Sequence, residues 1–379
     1  MKGRIAWGMI GGGEGSQIGD AHRIAASMDG LFSLAAAVPD IDPEKGRAFA
    51  KRLGVADDRA YATWEALVEG EADRTDGVRV VTVATPNATH YRIARACLEA
   101  GLHVLCEKPL TMTVREAVAL RDLAAKRELV LGVNFGYTGY PMVRQARAMV
   151  ARGELGDIRL VRAQFAHGHH SDAADMDNPR VRWRYDPTQA GVSSVLADCG
   201  IHAQHMAGWV LGQRVARLSA HYVSAVAGRE LEDDASVHAE LDGGTVTRLW
   251  TSAVALGRMH GLELEVFGST GAVAWRQEQP NQLAHTPLGQ PVRTLERGQD
   301  GLHEEARDAA RIAIAHPEGM LEAFANVYRD LHGAIAGRGK ARSAALGRLP
   351  SAEDGVEMVR FVRQATRSAK QRSRWVTMR

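Results

Sequence analysis

The stretch from Ile5 to His22 reads IAWGMIGGGEGSQIGDAH, and its interpretation decides the fold. Ile5 to Ile10 is an apolar run of strand length. Gly11, Gly12, Gly13, Gly15 and Gly19 make a glycine-rich turn, and from Ala21 the residues His22, Ile24 and Ala25 read as an amphipathic helix. A strand, a glycine turn and a helix start in that order give a pyrophosphate what it needs. Backbone amides point outward, the helix dipole favours an anion, and no side chains block its approach. Gly11-x-Gly13 fits the G-x-G-x-x-G spacing, but Ser16 stands at the third glycine; a three-residue insertion restores the pattern with Gly19. Gly11, Gly13, Ser16, Gln17 and Ile18 are therefore the candidate phosphate-binding residues, although such a turn can also be just a tight loop.

Working outward, Leu31 to Val38 is a second strand closed by Pro39-Asp40, and Pro43 to Leu53 is a helix with proline in its first turn. Val78 to Ala84 is a third buried strand broken at Thr85-Pro86-Asn87, and Tyr91 to Ala100 a helix stopped at Gly101. Leu102 to Cys106 is a strand ending in Glu107-Lys108-Pro109; the helix Val114 to Lys126 and the strand Val130 to Phe135 follow. Strands this apolar, separated by helices, predict a parallel sheet covered on both faces: a doubly wound α/β domain over residues 1–140. Asp40, ending the second strand, can accept hydrogen bonds from both hydroxyls of an adenosine ribose, or serve as a turn residue. It would repel a 2′-phosphate and no arginine follows it, so NAD is favoured over NADP.

Beyond residue 140 the period changes. After a helix from Pro141 to Ala151, Ile158 to His167, Ala216 to Val226, Ala235 to Leu241, Thr245 to Val254, Leu262 to Phe267 and Ala272 to Arg276 read as strands. Asp242-Gly243-Gly244 and Gly268-Ser269-Thr270-Gly271 mark hairpins, and Val195 to Leu211 is a helix among them. This predicts an α+β domain over residues 141–345 with a large, open, mainly antiparallel sheet, whose exposed face suits a homodimer or homotetramer. Residues 346–379 then hold a C-terminal helix opened by Ser351 and a basic tail, read as a solvated tail or an edge strand.

The composition agrees with an enzyme-sized globular chain. Its 379 residues exceed one ordinary core. Forty-seven basic against 45 acidic residues leave +2, no field for gripping nucleic acid or an anionic membrane. The absence of a long apolar run or a tripartite leader predicts a cytoplasmic protein. Cys97, Cys106 and Cys199 form neither a disulfide framework nor a metal spacing.

Lys108 ends a buried strand at the carboxyl edge of the sheet, where doubly wound folds bind ligands. A lysine there can stabilise a developing alkoxide and, by like-charge repulsion, keep a neighbouring base unprotonated, or it can be a surface charge. At this point the sequence resembles the Gfo/Idh/MocA oxidoreductases, the family of glucose–fructose oxidoreductase and inositol dehydrogenase. Gly11-x-Gly13, Thr85-Pro86-Asn87-x-x-His90, Glu107-Lys108-Pro109 and Asp198-x-Gly200-x-His202 carry the resemblance in family order. It extends to Ser351 and the closing Arg374-Trp375-Val376. It implies a Rossmann domain, an α/β domain with an open sheet, NAD(P) binding, and redox chemistry at sugar or cyclitol hydroxyls. By resemblance, Thr85, Pro86, Asn87 and His90 line the cofactor groove, Glu107 and Lys108 lie near the nicotinamide ribose, and Lys108 is catalytic.

Asp198 and His202, four apart on a helix, share a face. Removing hydride from a carbinol requires loss of the hydroxyl proton, and imidazole is a suited base near neutral pH. The spacing alone is also compatible with a structural pair; the resemblance makes His202 the general acid/base, with Asp198 bonding a substrate hydroxyl. His205, one turn on, is placed behind the substrate. Asn134, Tyr137 and Tyr140 suit polyol recognition, and Trp183-Arg184 precedes the catalytic helix. Arg182 and Arg184 could hold an anionic substituent or be surface charges. His167, His169 and His170 could bind zinc, but the chemistry needs no metal and none is assigned. The expected activity is NAD-dependent oxidation of a secondary hydroxyl on a sugar, a glycoside at C3 or a cyclitol. An ammonium and an imidazole would act on one C–OH. The rivals are redox-neutral glycoside cleavage by transient oxidation, elimination and re-reduction, and a ligand sensor without chemistry.

Overall fold

The computed structural model describes residues 4–378; Met1–Gly3 and Arg379, the outer ends of the terminal stretches discussed above, lie outside the described residues. The chain divides into two compact units, Met1–Gly136 with Met320–Val356, and Tyr137–Gly319 with Glu357–Arg379.

In the first unit, strands β1 (Ile5–Gly11), β2 (Phe32–Val38), β3 (Val80–Ala84), β4 (His103–Cys106) and β5 (Leu131–Val133) form one sheet in the order β2-β1-β3-β4-β5. All four pairings are parallel. Every residue of β3 is buried, as a central strand covered on both faces requires. Helices α1 (Gln17–Met28), α2 (Pro43–Arg52), α3 (Trp64–Ala72), α4 (His90–Glu99) and α5 (Val114–Lys126) connect the strands. Their starts follow from capping chemistry. Asp42 caps α2 ahead of Pro43, and Thr113 with Glu116 closes a capping box on α5. Helix α1 begins at Gln17, four residues before the expected Ala21, because Ser16 Oγ accepts from the Gly19 amide and caps it there. Helix α3 escaped the sequence reading: Glu65, Glu69 and Glu71 with Gly70 break its apolar stripe, leaving Leu67 and Val68 as its buried apolar side chains.

The domain boundaries expected at 140 and 345 need correcting. Met320–Val356 belongs with the first unit, because helix Met320–Ala336 supplies its missing core. Val327, Tyr328 and Leu331 pack with Ile5, Trp7 and Phe32. The Tyr328 ring meets Trp7 at 5.9 Å and Phe32 at 5.5 Å between centroids, both edge-on.

The second unit begins with α6 (Pro141–Ala151) and carries a nine-stranded sheet. Its strands are β6 (Ile158–Ala166), β7 (Val215–Val223), β8 (Asp234–Leu241), β9 (Val246–Ser252), β10 (Leu262–Gly268), β11 (Gly271–Arg276), β12 (Gln282–Pro287), β13 (Arg293–Glu296) and β14 (Val376–Thr377). The order is β13-β12-β11-β10-β6-β9-β8-β7-β14. Only β6 and β9 pair in parallel, so the sheet is mixed and mainly antiparallel. Strand β14 settles the C-terminal stretch as an edge strand, with Val376 buried opposite Leu218. One face is covered by α6 and by the helix Ile201–Leu211; the other shows half-buried Leu160 and Val246, exposed Phe267, and the ion pair Arg162–Glu265 at 2.9 Å. No described helix is long and apolar enough to cross a membrane.

Candidate active site

In the first unit the sequence motifs gather at the carboxyl ends of β1, β3 and β4. The Gly12 amide bonds the Ala84 carbonyl at 3.1 Å and the Glu107 amide bonds Val83 at 2.9 Å, which sets the glycine turn, Thr85-Pro86-Asn87 and Glu107-Lys108 side by side. The chain winds from β1 to β2 on one side and β3 on the other, the switch point where such sheets bind dinucleotides. Gly19 does the work of the displaced third glycine: a Cβ there would lie 2.4 Å from the Gly12 carbonyl oxygen, so only glycine lets helix and turn meet. A Cβ on Gly13 would stand 3.5 Å from Asp40 Oδ2, so the carboxylate lies against the turn. Its Oδ1 accepts from the Asp42 amide at 2.9 Å, the turn role that the sequence allowed. Gln17 is exposed and Ile18 half-buried at the first turn of α1, where amides have no helical partner. Glycine cradle, helix start and carboxylate together fit a dinucleotide.

Three expected roles change on burial. His90 does not line a groove: it is fully buried, with Nε2 at 2.8 Å from the Thr85 carbonyl and Nδ1 at 2.9 Å from the Pro109 carbonyl. It clasps the Thr-Pro-Asn turn to the Glu-Lys-Pro turn, and burial pulls its pKa down against the pull of those carbonyls. Glu107 is likewise buried; its Oε1 accepts from His22 Nε2 at 2.9 Å and from Asn134 Nδ2, and its Oε2 from the Lys108 amide at 3.2 Å. Burial works to raise its pKa, but the His22 and Asn134 bonds and the Lys108 charge hold it below the ordinary carboxylate range. Asn134 is therefore a partner of Glu107, with only its buried Oδ1 left over. Lys108 is half-buried, its peptide bond to Pro109 cis.

In the second unit the expected helix opens with a π turn, Leu196–Gly200, before Ile201–Leu211. Asp198 lies on that turn and accepts from Arg184 Nε at 3.1 Å, while His202 lies just beyond it. A carboxylate from elsewhere holds the opening: Glu232 Oε1 accepts from the Ser193 hydroxyl and from the amides of Ser194 (2.9 Å) and Leu196 (3.2 Å). Aromatic faces wall His202. Tyr137 meets its ring at 4.8 Å edge-on and Phe165 at 6.1 Å. Tyr137 Oη bonds His260 Nε2 at 3.0 Å, and Tyr140 stacks with Tyr137 at 6.2 Å. His205 is buried. Trp183 lies under the Arg184 guanidinium at 4.7 Å, and Arg182 is exposed.

The histidine trio is engaged with protein groups. His167 Nε2 faces Cys199 Sγ at 3.6 Å, its Nδ1 accepts from the His169 amide at 3.3 Å, and His170 Nδ1 meets Tyr185 Oη at 3.2 Å. Among the described residues no group of three His, Cys, Asp or Glu side chains is arranged to hold a metal ion. Burial, helped by neighbouring imidazoles, pushes His167 down to about 4. Burial also lowers His170, with Arg184 adding to it, and His260, with His169 adding to it. All three are neutral near pH 7, able to donate at one nitrogen and accept at the other. Sequence reasoning missed His260, Phe165, Tyr185 and Glu232; each comes from a different strand or loop and no spacing links them.

Comparison with known proteins places these features. Residues 5–135 match the model of the oxidoreductase family with the NAD-binding Rossmann fold, and residues 143–274 match the GFO/IDH/MocA C-terminal domain. An uncharacterized oxidoreductase of Bacillus subtilis, YfiI, is 38% identical over 98% of this chain and 96% of its own. The crystal structure of an inositol dehydrogenase homolog from Azotobacter vinelandii with NAD+ is 45% identical, covering 100% of this chain and 98% of that one with a TM-score of 0.94. The same homolog with NADH and myo-inositol matches at 44% identity over 100% and 98% of the two chains, with a TM-score of 0.92. The chain belongs to the GFO/IDH/MocA family of oxidoreductases, and its first unit is the family's NAD-binding Rossmann domain.

Proposed function

We propose that the protein is an NAD-dependent dehydrogenase acting on a secondary hydroxyl of an uncharged, polyhydroxylated ring: a cyclitol, a sugar, or a glycoside at C3. One observation carries the substrate class: in the second unit, around His202 and Asp198, the imidazoles of His167, His170 and His260 are neutral, and the half-buried guanidinium of Arg184 is already paired with Asp198. Neutral donors and acceptors beside aromatic rings recognise hydroxyls and C–H faces rather than a phosphate or carboxylate. The homolog bound to myo-inositol supports the same class.

In this reading His202 takes the hydroxyl proton, and the edge of Tyr137 keeps its ring oriented. The Lys108 ammonium steadies the oxygen as negative charge grows on it. Asp198, bonded by Arg184, accepts from an adjacent hydroxyl. The glycine turn and Asp40 would hold NAD, which would supply the hydride acceptor. Asp40 beside the turn favours NAD over NADP. We also propose a homodimer or homotetramer through the open sheet face, supported by the apolar row Leu160, Val246 and Phe267, which share register across β9, β6 and β10.

A panel of cyclitols, monosaccharides, aryl glycosides, sugar phosphates and sugar acids, followed for NADH and released aglycone together, tests the reading. Steady NADH from a neutral polyol is expected, with phosphorylated and acidic analogues poor. Aglycone release without net NADH would replace it with redox-neutral cleavage, and turnover confined to anionic sugars would overturn the substrate class.

A further inference from the structure

We propose that His22 and Tyr328 are positioning residues for Lys108, acting through the buried carboxylate of Glu107; the inference rests on the reading of Lys108 as the residue that steadies the substrate oxygen. A continuous polar chain crosses the core of the first unit. Trp7 Nε1 lies 2.9 Å from Thr82 Oγ1, Thr82 Oγ1 is 2.9 Å from Tyr328 Oη, and Tyr328 Oη is 2.9 Å from His22 Nδ1. His22 Nε2 is 2.9 Å from Glu107 Oε1. Thr82, His22 and Glu107 are buried, and Tyr328 is 2% exposed, so water does not substitute for a lost link.

The two ends of the chain fix the outer protons: an indole N–H only donates, so Thr82 accepts from Trp7, and a carboxylate only accepts, so His22 Nε2 donates to Glu107. With a neutral imidazole between them, Tyr328, whose hydroxyl burial keeps protonated, donates to His22 Nδ1 and accepts from Thr82. Glu107 in turn accepts the Lys108 backbone amide, so the orientation of the lysine's own peptide is set by the chain. His22 belongs to α1, the helix whose first turn closes the glycine cradle, and Tyr328 comes from the returning helix Met320–Ala336.

The carboxylate also acts by charge. Facing Glu107 are His22 from α1, Tyr328, His90 from α4, and Cys106 and Lys108 beside it in the chain. Tyrosine and thiol are pushed up by burial and His90 is pulled down, while the His22 bond and the Lys108 charge help hold the carboxylate ionised, the latter an attraction that acts on both partners.

The pH profile of kcat/KM tests this, with Lys108→Arg as the reference because a guanidinium does not deprotonate in the accessible range. Lys108→Arg should remove the high-pH limb. Glu107→Gln should move that limb down by about one pH unit. His22→Leu should lower kcat roughly tenfold, Tyr328→Phe by less, and both with NAD affinity within about threefold. His22→Gln, which keeps a donor toward Glu107, should recover most of the loss. If Lys108→Arg leaves the limb in place, the role given to Lys108 fails and this inference falls with it. If Lys108→Arg removes the limb while Glu107→Gln leaves it unmoved, or His22→Gln is as poor as His22→Leu, Lys108 keeps its role and the positioning chain is refuted.

Discussion

His202 is held between aromatic edges in the second unit, while Asp198 is held by an arginine. If the imidazole is the base, its loss removes the proton acceptor and leaves the Rossmann unit untouched. His202→Ala should therefore lower kcat by roughly 10²–10⁴-fold while calorimetric NAD affinity stays within about twofold. An unchanged kcat would strip the residue of its role. The sequence made His202, Asp198 and Lys108 visible because motif spacing locates strand ends and helix turns. It did not show that His90, Glu107 and Asn134 turn inward, because spacing carries no information on burial. A polar residue ending a strand reads the same whether it meets a ligand or the neighbouring turn.

At the scale of the element, the helix bearing Asp198 and His202 depends on Glu232. Its carboxylate sits where a helix start favours negative charge, but burial raises its pKa to about 7 despite three donors. The folded state thus binds this proton more tightly than the unfolded chain, whose carboxyl titrates near its ordinary value. The contribution is fully present below about pH 4 and is lost as pH rises through 7. His167 runs the other way: held neutral down to about 4, it adds stability as pH climbs toward its ordinary range. Melting temperatures of wild type and Glu232→Gln, measured from pH 5 to 8, should therefore diverge, the variant losing less stability with rising pH. Parallel curves would contradict this. Helix periodicity predicted the existence of this helix, and α2 and α5 were predicted nearly to the residue, where the structure shows the Asp42 cap and the Thr113–Glu116 capping box. The π turn was not legible, because Glu232 lies far along the chain from the amides it holds. Strands β12 and β13 were missed too, since Gln282–Pro287 and Arg293–Glu296 lack the apolar alternation of a half-buried strand.

At the scale of the whole molecule, the segment Met320–Val356 completes the first unit. Without Tyr328 and Leu331, the buried faces of Trp7 and Phe32 would meet water, a loss on the order of several kcal/mol. Residues 1–136 alone should melt without cooperativity and bind NAD weakly. The same residues linked to 320–356 should show a sharp thermal transition by circular dichroism and recover binding; a sharp transition in the shorter fragment would refute the claim. Alternating strands and helices made the first sheet predictable, and strand periodicity with hairpin turns the second, but not this return, since an amphipathic helix does not announce which sheet it will cover.

The return also orders events at the ribosome. The unit whose strands are translated first is the one that waits: its indole and phenyl faces stay open until Met320–Ala336 has been made, many seconds later at ordinary elongation rates. Trigger-factor-like holdases should therefore dwell on the nascent amino-terminal half, and synonymous slowing upstream of codon 320 should raise its aggregation.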